Sequence, residues 1–287
     1  MAWKRSLNRA LARATRFELR RVGARRPRAP LPGDRLLKAP VFVLCTVRSG
    51  STLLRVLLNS HSQIHAPQEL HLRDLDVAVT SPYAEQALAE IGLDAAQLDY
   101  LLWDRLLHRE LAQSGKRLLV NKTPTDVFIA DRIRECWPDA RFIFLLRHPA
   151  AVAVSRQGLR PQDSPEQNAA MVRLYGDALQ AARQAHPGLT VRYEDLAADP
   201  RPVTQEVCRF LGVRWEPEML EYGRQDHGRY RAGLGDWKDK IRSGSVQPPE
   251  PAPAEIPPAL VELCEAWGYA PAGAPAGAGT PAGAATG

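Results

Sequence analysis

Four short apolar runs punctuate the chain, at Val41–Cys45, Leu118–Asn121, Arg141–Leu146 and 189–192. Between and after them apolar positions recur at helical spacing, over 94–113, 125–136, Pro149–Gln157 and 165–186. Short continuous runs suit strands buried on both faces, and their alternation with helical segments predicts an α/β fold. The expected architecture is a P-loop-type central parallel sheet with helices on both faces, with ligands at the C-terminal ends of the strands. Residues 82–113 read as a helical insertion beside those strand ends, and 248–258 as a proline-rich connector to a last helix over 258–267.

The first run breaks into Thr46-Val47-Arg48-Ser49-Gly50-Ser51-Thr52, after which Leu53, Leu54, Val56, Leu57 and Leu58 follow a helical period. A strand, a tight turn and a helix N-terminus make an anion site, because the free N–H groups of the first turn point at the ligand. Ser51 and Thr52 add hydroxyls, Arg48 a fixed positive charge, and Gly50 a close backbone approach. A nucleoside-triphosphate loop carries a lysine directly after its last glycine; here that place is Ser51. The third run ends in Arg147-His148-Pro149, where a metal-dependent triphosphatase would place an aspartate, and Ser155 follows on the next helix. An arginine at a strand end and a serine two turns into the following helix can grip a second phosphate. The bland alternative for either segment alone is an ordinary strand-to-helix turn.

Together the two segments resemble the sulfotransferase family, and most of all the branch that contains the tyrosylprotein sulfotransferases and many bacterial enzymes. The P-R-S-G-T-T-L pattern of that branch stands here as V-R-S-G-S-T-L at 47–53, and its arginine–serine pattern as Arg147 and Ser155. The sequence V-R-Y-E-D-L at 191–196 matches a third motif, and G-L-G-D-W-K at 233–238 with K-I-R-S-G at 240–244 a fourth. The resemblance implies a donor, 3′-phosphoadenosine 5′-phosphosulfate (PAPS), and no metal. It implies that Arg48, Ser49, Gly50, Ser51, Thr52 and Leu53 hold the phosphosulfate end, that Arg147 and Ser155 hold the 3′ phosphate, and that Tyr193 and Lys240 lie near the nucleotide. The branch places a further arginine one turn after the serine; here Leu159 stands there, with Arg156 and Arg160 as alternative cations.

Sulfuryl transfer needs a base for the acceptor's proton and cations for charge on the leaving phosphate. In the related branch the catalytic glutamate falls twenty-one residues after the loop arginine, the spacing from Arg48 to Glu69. Glu69 is therefore the candidate base, with a capping or ion-pairing role as its structural alternative. His65 and His71 flank it as rivals, since imidazole titrates near neutrality. Lys122, in Asn121-Lys122-Thr123, occupies the position that the resemblance assigns to a lysine stabilising the bridging oxygen; its alternative is a solvated strand end.

Composition sharpens the ends. Residues 1–40 carry twelve Lys or Arg against Glu18 and Asp34, a net of +10; the whole chain is +6, so the remainder sums to −4. Trp3, Leu7, Ala10, Leu11, Ala14, Phe17 and Leu19 recur at helical spacing there, as in an amphipathic helix on an anionic membrane. A helix packed on the protein's own surface is the alternative, and nucleic acid is the less favoured partner. The expected domains are a basic extension over 1–39, a sulfotransferase domain over 40–270, and an Ala/Gly/Pro tail over 271–287 that reads as disordered. Cys45, Cys136, Cys208 and Cys264 share no metal-binding spacing and read as buried free thiols, which points to a cytoplasmic, at most membrane-peripheral, setting. No apolar stretch is long enough to span a bilayer. The acceptor is expected to be a small-molecule, glycan, lipid or carrier-bound hydroxyl. Two rival classes stand beside this: a P-loop kinase-like phosphotransferase, and a non-catalytic module that binds through its basic leader.

Overall fold

A computed structural model describes residues 33–227 and 239–269. The expected amphipathic leader helix, the motif segment 233–238 and the tail over 271–287 lie outside the described residues. Five parallel strands form the sheet: β1 (Val41–Cys45), β2 (Ile64–His65), β3 (Leu118–Asn121), β4 (Arg141–Leu146) and β5 (Gly188–Arg192), in the order β2-β3-β1-β4-β5. Strand β1 is buried along its whole length between β3 and β4, so its sequence has no polar face to show. β2 escapes the sequence pattern because two residues are too few to set a period.

Side chains of the central strands alternate between two apolar layers. Phe42, Leu44, Phe142, Phe144 and Leu146 face one cluster; Val41, Val43, Cys45, Ile143 and Leu145 face the other. Helix α1 (Ser51–Asn59) fills the second layer with Leu53, Leu54, Val56, Leu57 and Leu58. Helix α2 (Pro82–Glu90) buries none of its residues, whereas α3 (Ala95–Ser114) sinks Tyr100, Trp103 and Leu107 into the first layer. The second half of the expected insertion is thus part of the core, and α2 is the part that stands out. Asp104 on α3 makes the difference, accepting from the Leu36 and Leu37 N–H groups at 2.7 and 3.1 Å and from Trp137 Nε1 at 2.8 Å.

The expected helix over 125–136 divides into a 3₁₀ segment, Pro124–Ile129, and α4 (Ala130–Cys136). Helices α5 (Pro149–Gln157) and α6 (Pro165–Ala185) follow, and α6 opens on a capping box at Ser164 and Gln167. After β5 come α7 (Tyr193–Ala198) and α8 (Pro200–Leu211), the latter capped by Asp199 and closed by Gly212 at φ 69°. The short α9 (Asp239–Arg242) carries Lys240, and the last helix is a 3₁₀ turn, Pro258–Leu260, running into α10 (Val261–Ala266). All four cysteines are buried and free. Among the described residues no helix is long and apolar enough to cross a membrane.

Candidate active site

The turn between β1 and α1 folds through two left-handed residues, Arg48 at φ 64° and Gly50 at φ 81°. Gly50 is the N-cap of α1 and has no side chain to offer the helix, so the first-turn N–H groups face outward. A Cβ on Gly50 would sit 2.1 Å from Tyr193 Cδ2. Glycine is required there twice over, for its dihedral and for the ring against it. Ser49, Ser51, Thr52 and Leu53 are all buried around this turn, and the buried Thr46 hydroxyl has no hydrogen-bond partner among the described residues.

The two arginine motifs meet here. Arg48 Nε donates to Ser155 Oγ at 3.2 Å, and Arg147 Nη1 donates to the Arg48 carbonyl at 2.8 Å. The Arg147 guanidinium lies 4.5 Å over the Tyr193 ring. Two cations, a hydroxyl, an aromatic face and a helix N-terminus thus surround one spot at the C-terminal ends of β1, β4 and β5. That is the chemistry of a site for a ligand with more than one phosphate-like group. Arg156 and Arg160, the alternatives to the cation missing at Leu159, are both engaged by Asp163, at 3.3 and 3.5 Å.

Glu194, next to the Tyr193 platform, holds two elements in place. One carboxylate oxygen accepts from the His148 N–H at 2.9 Å and so caps α5; the other accepts from the Tyr269 hydroxyl at 2.7 Å. Burial, reinforced by that carboxylate, pushes the Tyr269 phenol up. Arg192 adds bonds to the carbonyls of Trp267 and Gly268 and lies 4.4 Å over Tyr269.

On the other side of the turn stands an ion pair between Lys122 Nζ and Glu69 Oε1. Lys122 is only 1% exposed and Glu69 10%, so Lys122 is no solvated strand end. The second Glu69 oxygen faces His71 Nε2 at 3.6 Å, and His71 also faces Asp74 at 3.8 Å. His65 turns elsewhere, to Glu110 at 3.5 Å, and burial lowers its pKa. The Cys45 thiol lies close enough to feel both Lys122 and Glu69; burial pushes it up and the Lys122 charge works against that.

The loop bearing Glu69 is fixed by two side chains one turn apart on α1. Arg55 Nη1 donates to the Ala66 carbonyl and Asn59 Oδ1 accepts from the Ala66 N–H, each at 2.9 Å. Asn59 also reaches His227 Nδ1 at 3.2 Å. Sequence reasoning passed over Arg55, although a buried arginine inside the apolar face Leu53-Leu54-Arg55-Val56-Leu57 is itself a signal. Lys116 completes the support, donating to the carbonyls of Asn59, His61 and Ile64 at 2.7, 3.1 and 3.0 Å beyond the end of α1.

A family model described as Sulfotransferase family matches residues 40–217. The chain belongs to the sulfotransferase family. Among curated relatives, the nodulation protein NoeE of Sinorhizobium fredii is 33% identical over 125 residues, which is 40% of this chain and 30% of NoeE. Protein-tyrosine sulfotransferase 2 of Gallus gallus is 22% identical over 199 residues, 63% of this chain and 53% of that one. The chain therefore spans about a third to a half of the length of these sulfotransferase relatives. Two solved structures match more fully. The sulfotransferase domain from the curacin biosynthetic pathway is 25% identical, with TM-score 0.59, covering 82% of this chain and 99% of that one. The sulfotransferase domain from the Synechococcus PCC 7002 olefin synthase is 26% identical, with TM-score 0.61, covering 85% and 99%.

Proposed function

We propose that this chain transfers a sulfuryl group from PAPS to an acceptor hydroxyl, without a metal, and that Glu69 is the general base. The observation that carries the reading is the convergence of two constellations on one sheet edge: Arg48, Ser155, Arg147 and Tyr193 on one side of the turn, and Glu69 with Lys122 on the other. The first is a holder for a nucleotide with phosphates at both ends; the second pairs a proton acceptor with a buried cation.

The residues present fit such a donor. The turn at 48–53 offers backbone N–H groups and hydroxyls, and the unpartnered Thr46 hydroxyl adds another polar contact. Ser155 accepts from Arg48 through its oxygen and still has its own proton to donate to an anion. Arg147 has further N–H groups beyond the one on the Arg48 carbonyl, and Tyr193 keeps the guanidinium plane fixed. The donor supplies an activated sulfuryl group. On the protein's side, Glu69 Oε2 takes the acceptor's proton while Oε1 stays on Lys122, and Lys122 and Arg48 offset negative charge on the departing phosphate. Arg55 and Asn59 keep Glu69 at that station through Ala66.

The acceptor is read as a small-molecule, glycan, lipid or carrier-bound hydroxyl. The two matched domains come from a biosynthetic pathway and an olefin synthase, which favours small-molecule and carrier-bound acceptors over protein tyrosine. The net charge of +10 over residues 1–40 supports contact with an anionic membrane surface and so a cytoplasmic, membrane-peripheral placement. The test is release of 3′-phosphoadenosine 5′-phosphate from PAPS against a panel of phenolic, sugar and carrier-bound hydroxyls, in buffer with chelator. Acceptor-dependent release that Glu69→Gln abolishes supports the reading. Release that needs magnesium, or that Glu69→Gln leaves intact, contradicts it.

A further inference from the structure

Asp126 is a buried carboxyl for which the reaction above has no role. It lies in the 3₁₀ segment after β3, 1% exposed, with its N–H on the Thr123 carbonyl at 3.0 Å. Its Oδ2 accepts from Asn121 Nδ2 at 2.7 Å. Its Oδ1 and the Asn121 Oδ1 are both buried, and neither has a hydrogen-bond partner among the described residues. An ionised carboxylate and an amide oxygen can only accept, so an ionised Asp126 would leave two acceptors stranded in the interior. A proton on Asp126 turns one of the two stranded acceptors into a donor, in a turn where the Thr123 and Thr125 hydroxyls are also buried without a partner among the described residues.

The groups around it make the same case. Glu69 and Asp74 act on Asp126 with like charge, and Lys122 with opposite charge. From β1 the Cys45 thiol feels the same Lys122 and Glu69, and from α6 the Tyr175 phenol feels Glu69, Arg73 and Arg156. Lys122 is bonded to Glu69, and its charge also reaches Asp126. Were both ionised, the charge of one buried ammonium would be set against two carboxylates.

We propose that Asp126 is a positioning residue that works as the neutral acid, so that Lys122 keeps its charge on Glu69 and the transferring group. The assignment rests on the roles given above to Glu69 and Lys122. Burial raises the Asp126 carboxyl to about 8, with the Asn121 bond pulling the other way. Above that pH the proton leaves to solvent, and a second carboxylate competes for Lys122. Turnover should therefore fall on an alkaline limb that Asp126→Asn lacks.

The deciding experiment needs neither donor nor acceptor: urea unfolding of the full chain from pH 5 to 9, wild type beside Asp126→Asn. A carboxyl with folded pKa near 8 and an ordinary value of 3.8 gives stability that is full below the lower value and is lost as pH rises through the upper. Relative to Asp126→Asn, the wild-type unfolding constant should rise by about tenfold per pH unit up to pH 8 and then level off. Equal pH dependence in the two proteins overturns the proposal. If Asp126→Asn does not fold, the infrared carbonyl band of a protonated carboxyl in the wild type at pH 7, titrating away near pH 8, decides instead; its absence overturns the proposal. Donor binding is measured separately, so a failure of the sulfotransferase reading cannot be mistaken for a failure here.

Discussion

Arg48 and Ser155 lie 107 residues apart in the chain and share a hydrogen bond of 3.2 Å. That contact joins the turn after β1 to the helix after β4, so the two segments are one structural unit. Ser155→Ala removes a hydroxyl that bonds to a charged group, an interaction worth about 1.5–3 kcal/mol. Binding of 3′-phosphoadenosine 5′-phosphate is expected to weaken by about tenfold or more, which calorimetry on the variant measures. Affinity within twofold of wild type would place the 3′ phosphate elsewhere.

Gly50 offers a test of the turn itself. Its φ of 81° and the Tyr193 ring 2.1 Å from the place of a Cβ make Gly50→Ala doubly unfavourable. The left-handed dihedral alone costs about 1–2 kcal/mol. Adding Tyr193→Ala to Gly50→Ala should restore part of the lost stability by removing the clash, while the dihedral cost stays. Thermal melts of the two single variants and the double variant check this non-additivity; simple additivity contradicts the packing described.

The Lys122–Glu69 pair is buried, and removing one partner leaves the other charge unmatched. Lys122→Met is expected to cost about 3–5 kcal/mol of stability, the usual penalty for breaking a buried pair. Lys122→Met with Glu69→Gln should be more stable than Lys122→Met alone. A double-mutant cycle by urea unfolding gives the coupling, and a coupling near zero would show that the two side chains do not share the pair seen here.

Three buried or half-buried histidines oppose stability in acid, with the sign opposite to that of the Asp126 carboxyl. Burial lowers the pKa values of His65, His148 and His227 below the ordinary 6.5. Unfolded imidazoles take up protons as pH falls through 6.5, while the folded ones resist, so stability present above that pH is lost below it. His227 is held neutral by donating from Nε2 to the Tyr222 carbonyl at 2.8 Å and accepting at Nδ1 from Asn59 at 3.2 Å. Relative to wild type, His227→Gln should gain stability as pH falls from 7 to 5 in chemical-unfolding midpoints; a difference that does not change with pH assigns the acid sensitivity to other groups.

The strands were legible because a parallel sheet covered on both faces demands apolar residues at successive positions, and Val41–Cys45 has nothing else. The turn after β1 was legible too, since an apolar run that breaks into Arg48-Ser49-Gly50-Ser51-Thr52 before a helical period announces a strand-to-helix turn. What joins them was not. The clamp of Arg55 and Asn59 on Ala66 and the double duty of Glu194 are side-chain contacts across loops, with no period or spacing to announce them. The burial of α3 likewise depends on Asp104 meeting two N–H groups 67 and 68 residues before it. Nothing in the sequence sets Asp126 apart; its burial comes only from the fold that closes over it.

Calorimetric titration with 3′-phosphoadenosine 5′-phosphate in the presence of chelator, beside ATP and the Arg147→Ala variant, tests the central claim most directly. The proposed function predicts metal-free binding that ATP does not match and that Arg147→Ala weakens by at least about tenfold, from the loss of a charged hydrogen-bonding group. Absence of binding, or binding of ATP that requires magnesium, would contradict it and return the kinase-like or non-catalytic reading to the lead.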